Sequence, residues 1–242
     1  MSLAIYLKQT PETVYRQKIN QKKKDRFFAV SISLIGVFSI IFATWPLLVW
    51  NIKIIPQLSV KVDNAPIPQK EVLSAKSTLL KDVQVAKDSD GFSYFTTSTE
   101  PAVNRPQEFY LTIPKLKIEN AVVKVDTLKF YDNLGLFPGT ALPGEVGNAF
   151  VTGHSALPQF YNPKNYREIF TNLSELEIGD IVYARISGKT YQYLVQYKKV
   201  VDPNDISVLA PIARDAKNMT LMTCVPPGTS IKRLIVVTSL IV

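Results

Sequence analysis

The sequence predicts a mostly β domain, a sandwich or a barrel, preceded by one membrane-spanning helix. Residues 27–52 form an uncharged run of 26 residues, "FFAVSISLIGVFSIIFATWPLLVWNI". Residues 107–242 contain seven short runs rich in β-branched and aromatic residues, many of them separated by Pro or Gly. One segment between them, "NYREIFTNLSEL", has apolar residues at helical spacing and predicts a short helix. A chain of 242 residues is long enough for one such domain and an additional helix.

The N-terminal region predicts a single-pass membrane protein. At about 1.5 Å per residue, the run 27–52 is long enough to cross a hydrocarbon core of about 30 Å. Residues 1–26 carry seven Lys and Arg against two acidic residues, a pattern that keeps a terminus in the cytoplasm. Trp45 and Trp50 lie at the far end of the run, as expected at a lipid–water interface. The alternative, a cleaved signal peptide, has an apolar region of about 7–15 residues followed by a small-x-small cleavage site.

Residues 53–106 predict an extracytoplasmic stalk or linker, because Lys, Ser, Thr, Asp and Pro mix there without sustained periodicity. A short helix near residues 70–81 is compatible with the apolar positions in that part of the stalk. The domain from 107 to 242 then follows, with predicted strands at 109–113, 121–125, 148–152, 181–186, 190–201, 220–224 and 233–240.

Charge and cysteine content exclude several functions. Most of the formal net charge of +8 comes from residues 1–26, and the remainder carries 21 Lys and Arg against 18 Asp and Glu. The excess of basic residues therefore indicates membrane topology and does not support nucleic-acid binding. One Cys cannot form an internal disulfide, and one Cys and one His cannot supply a structural zinc cluster. We expect no cofactor and no metal site.

The candidate reactive residues follow predicted strands. His154 comes two residues after the strand that ends at Thr152, and Cys224 closes "TLMTC". A thiol needs a cationic or basic neighbour to act as a nucleophile, and Arg233 could return beside Cys224 if "VPPGTSIK" is a hairpin connection. The alternatives remain open at this level, since a single cysteine is usually a small buried hydrophobe. A lone His or an Arg at the start of a strand is likewise more often structural or solvated.

The sequence around His154, Cys224 and Arg233 resembles one protein family. "GNAFVTGHS", "TLMTC" about 70 residues later, and an Arg nine residues after the cysteine are similar to the signature of the sortases, cysteine transpeptidases. The resemblance continues through "LTIPKLKIENAVVKV", "LGLFPGTALPGEVGNAFVTGH" and "IFTNLSELEIGDIVYARISGKTYQYLV", and covers roughly residues 108–238. It implies a closed β-barrel of seven to eight strands with one or two short helices, in a catalytic domain spanning 107–242.

The resemblance also implies roles. Cys224 would attack a Thr-Gly type peptide bond and form a thioester, His154 would act as general acid and then as general base, and Arg233 would hold the substrate and stabilise the oxyanion. Substrate-binding positions would be Thr223, Thr152 and Met222. The implied partners are secreted proteins with a C-terminal sorting signal similar to Leu-Pro-x-Thr-Gly, an amine acceptor on the cell surface, and the lipid bilayer.

Some features differ from branches of the family. Ser155 follows His154 where many sortases have Arg, and the stalk lacks the Asp-Pro-aromatic lid motif of the pilin-polymerising branch. These departures favour the anchoring of surface proteins over pilin assembly. Two other functions stay open. One is a hydrolytic cysteine peptidase, although papain-like enzymes place Cys before His. The other is a non-catalytic, membrane-tethered β domain.

Overall fold

The computed structural model describes residues 11–49, 52, 82–87, 93–98 and 104–241. Two compact units are distinguished, residues 1–52 and residues 53–242. The predicted helix near residues 70–81 and Trp50 lie outside the described residues.

Helix α1 in the first unit runs from Pro11 to Val49. Within it, the 23 residues Lys23–Trp45 are long and apolar enough to cross a membrane. Large apolar side chains along this stretch are exposed, among them Phe27, Phe38 and Phe42. The hydroxyls of Ser31 and Ser39 donate to carbonyls four residues earlier, each at 2.9 Å, which satisfies these polar groups within the helix. The helix fits the predicted membrane span by length and composition.

The second unit contains a closed barrel of eight strands, which confirms the predicted fold class. The strands are β3 (Glu108–Ile113), β4 (Ile118–Lys124), β5 (Leu134–Leu136), β6 (Gly147–Thr152), β7 (Ile181–Ile186), β8 (Lys189–Val201), β9 (Lys217–Val225) and β10 (Lys232–Leu240). Their order around the barrel is β10-β8-β7-β3-β4-β5-β6-β9, and β9 pairs with β10 to close it. The pairs β4–β5 and β6–β9 are parallel, and the others are antiparallel.

Alternating burial fills the barrel. In β3 every second residue is buried, at Phe109, Leu111 and Ile113, as expected where a strand has one face on the core. In β10, by contrast, consecutive residues from Arg233 to Thr238 are all buried, so both faces of this strand are covered. Besides the core inside the barrel, there is a second apolar cluster. One face of β10 belongs to it, and there Ile235 and Val237 pack with Phe150.

A hairpin before the barrel covers this second cluster. Strands β1 (Val83–Lys87) and β2 (Ser93–Thr97) pair antiparallel with each other, in a segment for which the sequence predicts only a stalk or linker. Phe95 of β2 is buried in the cluster, and Val83 and Val85 of β1 pack against it. The sequence signal is weak because each strand has only five residues and just one apolar face to bury.

The sequence also predicts a helix at "NYREIFTNLSEL" where the structure has turns followed by one 3-10 helix, Leu173–Glu175. An α-helix would require the N–H of Phe170 to donate to the carbonyl of Tyr166. It donates instead to the carbonyl of His154, at 3.0 Å. The helical spacing of Ile169, Phe170 and Leu173 reflects burial, and a tertiary hydrogen bond replaces the local one.

Buried amides fix the parallel pair β6–β9 at its start. Asn148 and Asn218 lie opposite each other in the two strands, and Nδ2 of Asn218 donates to Oδ1 of Asn148 at 2.7 Å. Nδ2 of Asn148 donates in turn to the carbonyls of Val208 and Leu209, at 3.1 and 3.2 Å. These bonds hold the connection between β8 and β9 against the barrel and fix the register that places the ends of β6 and β9 together.

Candidate functional site

The three predicted catalytic residues lie at the ends of three neighbouring strands, β6, β9 and β10. In β9 and β10, Cys224 and Arg233 are directly opposite each other. In β6 and β9, Thr152 is opposite Met222, so His154 follows two residues beyond the last pair of the parallel ladder. The barrel thus brings together residues that are 70 positions apart in the chain.

Three hydrogen bonds continue the contact between the His154 and Cys224 segments beyond that ladder. The N–H of Gly153 donates to the carbonyl of Met222 at 3.1 Å. The hydroxyl of Thr223 donates to the carbonyl of Gly153 at 2.9 Å, and the hydroxyl of Ser155 donates to the carbonyl of Cys224 at 2.7 Å. The residues next to His154 on both sides are therefore tied to the strand that carries Cys224.

Gly153 lets the backbone before His154 pack closely against the side chains of Leu134 and Phe170. A Cβ atom at this position would lie 2.6 Å from side-chain carbons of Leu134 and of Phe170, far below a normal van der Waals contact. Any larger residue at this position would have to displace these two side chains or the backbone that precedes His154.

Replacing Thr223 with valine tests the positioning role of its hydroxyl. Thr238 offers a matched control, because it is also buried and its hydroxyl also donates to a carbonyl, that of Met219, at 2.9 Å. We expect Thr223→Val and Thr238→Val each to lower the free energy of unfolding by about 1–2 kcal/mol. Only Thr223→Val should also lower kcat, by about tenfold, since small displacements of reacting groups are costly. Equal kcat values in the two variants would argue against this role.

The imidazole of His154 packs against two aromatic rings, both tilted relative to it. Its ring centroid is 4.6 Å from that of Phe130 and 5.2 Å from that of Tyr131, both from the connection between β4 and β5. The guanidinium of Arg167 lies over the Tyr131 ring, 5.8 Å from its centroid. Nε2 of His154 is buried and has no hydrogen-bond partner among the described residues. Burial, and secondarily the charge of Arg167, lower the pKa of His154 below its ordinary value.

The thiol of Cys224 is half-buried. Burial raises its pKa, and the positive charge of Arg233 partly opposes this effect. Arg233 is itself buried, and its Nη1 donates to the carbonyls of Ser230 and Lys232 at 2.9 and 3.1 Å. These contacts fix the guanidinium beside the cysteine strand.

All three side chains line one cleft of about 720 Å³, together with the predicted substrate-binding residues Thr152, Met222 and Thr223. The hydroxyl of Thr152 is engaged with the carbonyl of Gly135 at 3.3 Å, and Met222 also packs on the second apolar cluster. Among the described residues that line the cleft, His154 and Arg233 have ionisable basic side chains, and no acidic or other basic side chain is present. No group of three or more His, Cys, Asp or Glu side chains in the described part of the chain could hold a metal ion.

Several residues of this site are not predicted by the sequence. Phe130 and Tyr131 are adjacent aromatic residues in a turn-rich stretch, "KFYDN". The sequence shows this aromatic pair but does not indicate that it contacts His154. Tyr94 and Phe95 line the cleft from the hairpin before the barrel. In the sequence, Ser155 stands out only because many sortases have Arg at this position. In the structure, its hydroxyl donates a hydrogen bond to the backbone carbonyl of Cys224.

Comparisons with known proteins place the barrel in a family. A family model of the sortase domain matches residues 111–241. Sortase A of Staphylococcus aureus (strain NCTC 8325 / PS 47) is 28% identical over 104 residues, which cover 37% of this chain and 48% of the relative. The chain thus matches about half the length of that curated relative.

Solved sortase structures are also similar. A Clostridium perfringens sortase D5 transpeptidase is 29% identical, with a TM-score of 0.48, over 56% of this chain and 79% of that one. A lid mutant of Corynebacterium diphtheriae sortase A is 29% identical, with a TM-score of 0.49, over 58% and 73% of the two chains. Because the family model covers more than half of the chain, this protein belongs to the sortase family of cysteine transpeptidases.

Proposed function

We propose that the protein is a membrane-anchored transpeptidase that cleaves a sorting signal similar to Leu-Pro-x-Thr-Gly and transfers the acyl group to a cell-surface amine. The observation that carries this proposal is the convergence of Cys224, His154 and Arg233 on one cleft from three adjacent strand ends. A thiol, an imidazole and a guanidinium provide the nucleophile, the proton carrier and the oxyanion donor that acyl transfer requires.

In the acylation step, the thiolate Sγ of Cys224 attacks the carbonyl carbon of the Thr-Gly bond. The carbonyl oxygen takes up the negative charge, which the guanidinium of Arg233 stabilises. When the oxyanion collapses, the C–N bond breaks and the imidazolium of His154 gives its proton to the leaving amine. The products are a thioester on Cys224 and a neutral imidazole.

In the second step, a neutral amine of the acceptor attacks the thioester carbonyl. His154 accepts the proton that this amine loses, and the C–S bond breaks to release the thiolate of Cys224. A new amide bond joins the substrate to the acceptor. Water in place of the amine would give a hydrolysed product, which is the reaction of a cysteine peptidase.

The directions in which the pKa values of Cys224 and His154 are shifted indicate the protonation state of the two side chains before substrate binds. A raised pKa of Cys224 and a lowered pKa of His154 both favour the neutral forms, so the thiolate–imidazolium pair is a minor population near neutral pH. The packing of Phe130 and Tyr131 against the imidazole supports this interpretation, because it removes water from the ring.

The proposal includes a membrane topology in which the N-terminus is cytoplasmic and the barrel is extracytoplasmic. The apolar stretch Lys23–Trp45 of α1 is the anchor, and the seven basic residues among the first 26 keep the N-terminus in the cytoplasm. The barrel then lies outside, where secreted proteins with a C-terminal sorting signal and amine acceptors are available.

The test uses the full chain in detergent micelles, incubated with a panel of Leu-Pro-x-Thr-Gly-like peptides. We expect intact-protein mass spectrometry to detect the acyl adduct on Cys224, with none on the Cys224→Ala variant. Adding an amine should divert the product from the free acid to the amide. Amine-independent hydrolysis would indicate the peptidase, and turnover retained by Cys224→Ala would falsify the assignment of the nucleophile.

A further inference from the structure

The β1–β2 hairpin lies outside the part of the chain that matches the sortase family model, which begins at residue 111. It is nevertheless fixed on the barrel by buried contacts. The Phe95 ring centroid is 6.3 Å from those of both Phe137 and Phe150. Val83 and Val85 pack on the same cluster. A segment attached by three side chains in this way has a defined position on the barrel.

The hairpin forms part of the cleft that holds the catalytic candidates. Tyr94 and Phe95 both line it, but they differ in accessibility. Phe95 is 7% exposed and belongs to the core cluster, whereas Tyr94 is 45% exposed. Phe95 therefore anchors the hairpin, and Tyr94 provides contact area that is still available for a ligand.

The surroundings of the hairpin determine the chemistry that this wall can recognise. The lining residues that pack with Phe95 are Phe137 and Met222, so the described residues around Phe95 give this side of the cleft an apolar surface. Met222 precedes Cys224 by two residues in β9, a separation of about 7 Å along a strand. An extended peptide with its scissile carbonyl at Cys224 would bring a side chain about two residues away to this wall.

We propose that the β1–β2 hairpin is a specificity-determining wall of the cleft, on which Tyr94 contacts an apolar side chain of the peptide substrate. This inference deepens the proposed transpeptidase function and rests on it. Aromatic rings offer large, rigid apolar area for such a contact. The stalk segment thereby supplies part of the substrate-binding surface, in addition to the barrel strands.

The test measures kcat/KM of the full chain for pairs of peptides that differ by Leu or Asn at single positions on either side of the scissile bond. We expect wild-type protein to prefer Leu at one position near the wall, and Tyr94→Ala to reduce that preference about tenfold through KM. Tyr94→Phe should retain it. Gln84→Ala, an exposed substitution on the same hairpin that does not line the cleft, should behave as wild type.

A second variant separates loss of contact from loss of structure. Tyr94→Lys should change the preferred residue at the same position from Leu to Glu, a gain that a displaced hairpin would not produce. An unchanged Leu preference in Tyr94→Ala, or an equal loss for both peptides of every pair, would overturn the hairpin inference and leave the transpeptidase proposal standing. Absence of any thioester on wild-type Cys224 would overturn both.

Discussion

Replacing Arg233 with alanine is expected to lower kcat/KM for peptide cleavage by about 10²–10³-fold, the typical cost of removing one oxyanion donor. Arg233 lies directly opposite Cys224, is buried, and is held by the carbonyls of Ser230 and Lys232. Arg233→Lys keeps the charge but lacks the rigid fork of donors, so it should restore only part of the rate. Steady-state and single-turnover kinetics on the peptide panel measure both effects.

The same variant has a second expected readout that a purely structural role would not give. Because the charge of Arg233 lowers the pKa of Cys224, its removal should raise that pKa further. The pH at which an alkylating reagent reaches half of its maximal rate on Cys224 should therefore move upward in Arg233→Ala. Lys232→Ala is the neighbouring control, since Lys232 pairs with Asp202 at the surface. An alkylation profile that coincides with that of wild type would contradict the electrostatic role.

Replacing His154 with glutamine is expected to lower kcat/KM by about 10²–10⁴-fold, the usual contribution of a general acid–base residue. It should also change the pH profile. The thiolate–imidazolium and thiol–imidazole forms hold the same number of protons, so the reactive share is constant between the two pKa values. It falls when His154 gains a proton at low pH or when Cys224 loses one at high pH.

For wild-type protein, kcat/KM should therefore rise with pH through the pKa of His154, at a pH below its ordinary value of 6.5. It should fall only above 9.0, the ordinary value for Cys224, whose pKa is raised. His154→Gln should lose the acid limb. Phe130→Leu, which covers less of the imidazole, should move that limb to higher pH. An acid limb that persists unchanged in His154→Gln would assign it to another group.

Local sequence patterns predict much of this fold because its short strands are runs rich in β-branched and aromatic residues. All seven predicted strands are present, with ends that differ by at most three residues. The eighth barrel strand, Leu134–Leu136, is missed because three residues in a turn-rich stretch carry no alternation. It forms only through its pairs with β4 and β6. The predicted helix fails for a related reason, since the N–H of Phe170 bonds to His154 and not to its own segment.

The sequence by itself determined the helix that is long and apolar enough to cross a membrane, the β class, the family, and the residue types from which acyl-transfer chemistry can be built. These properties depend on composition and on spacing along the chain. Only the tertiary structure decided that Cys224 faces Arg233, that Phe130 and Tyr131 cover His154, and that the β1–β2 hairpin reaches the cleft. Such contacts join residues far apart in the chain. Strand register, burial and the resulting loss of water, which set both geometry and pKa, exist only once the barrel has closed.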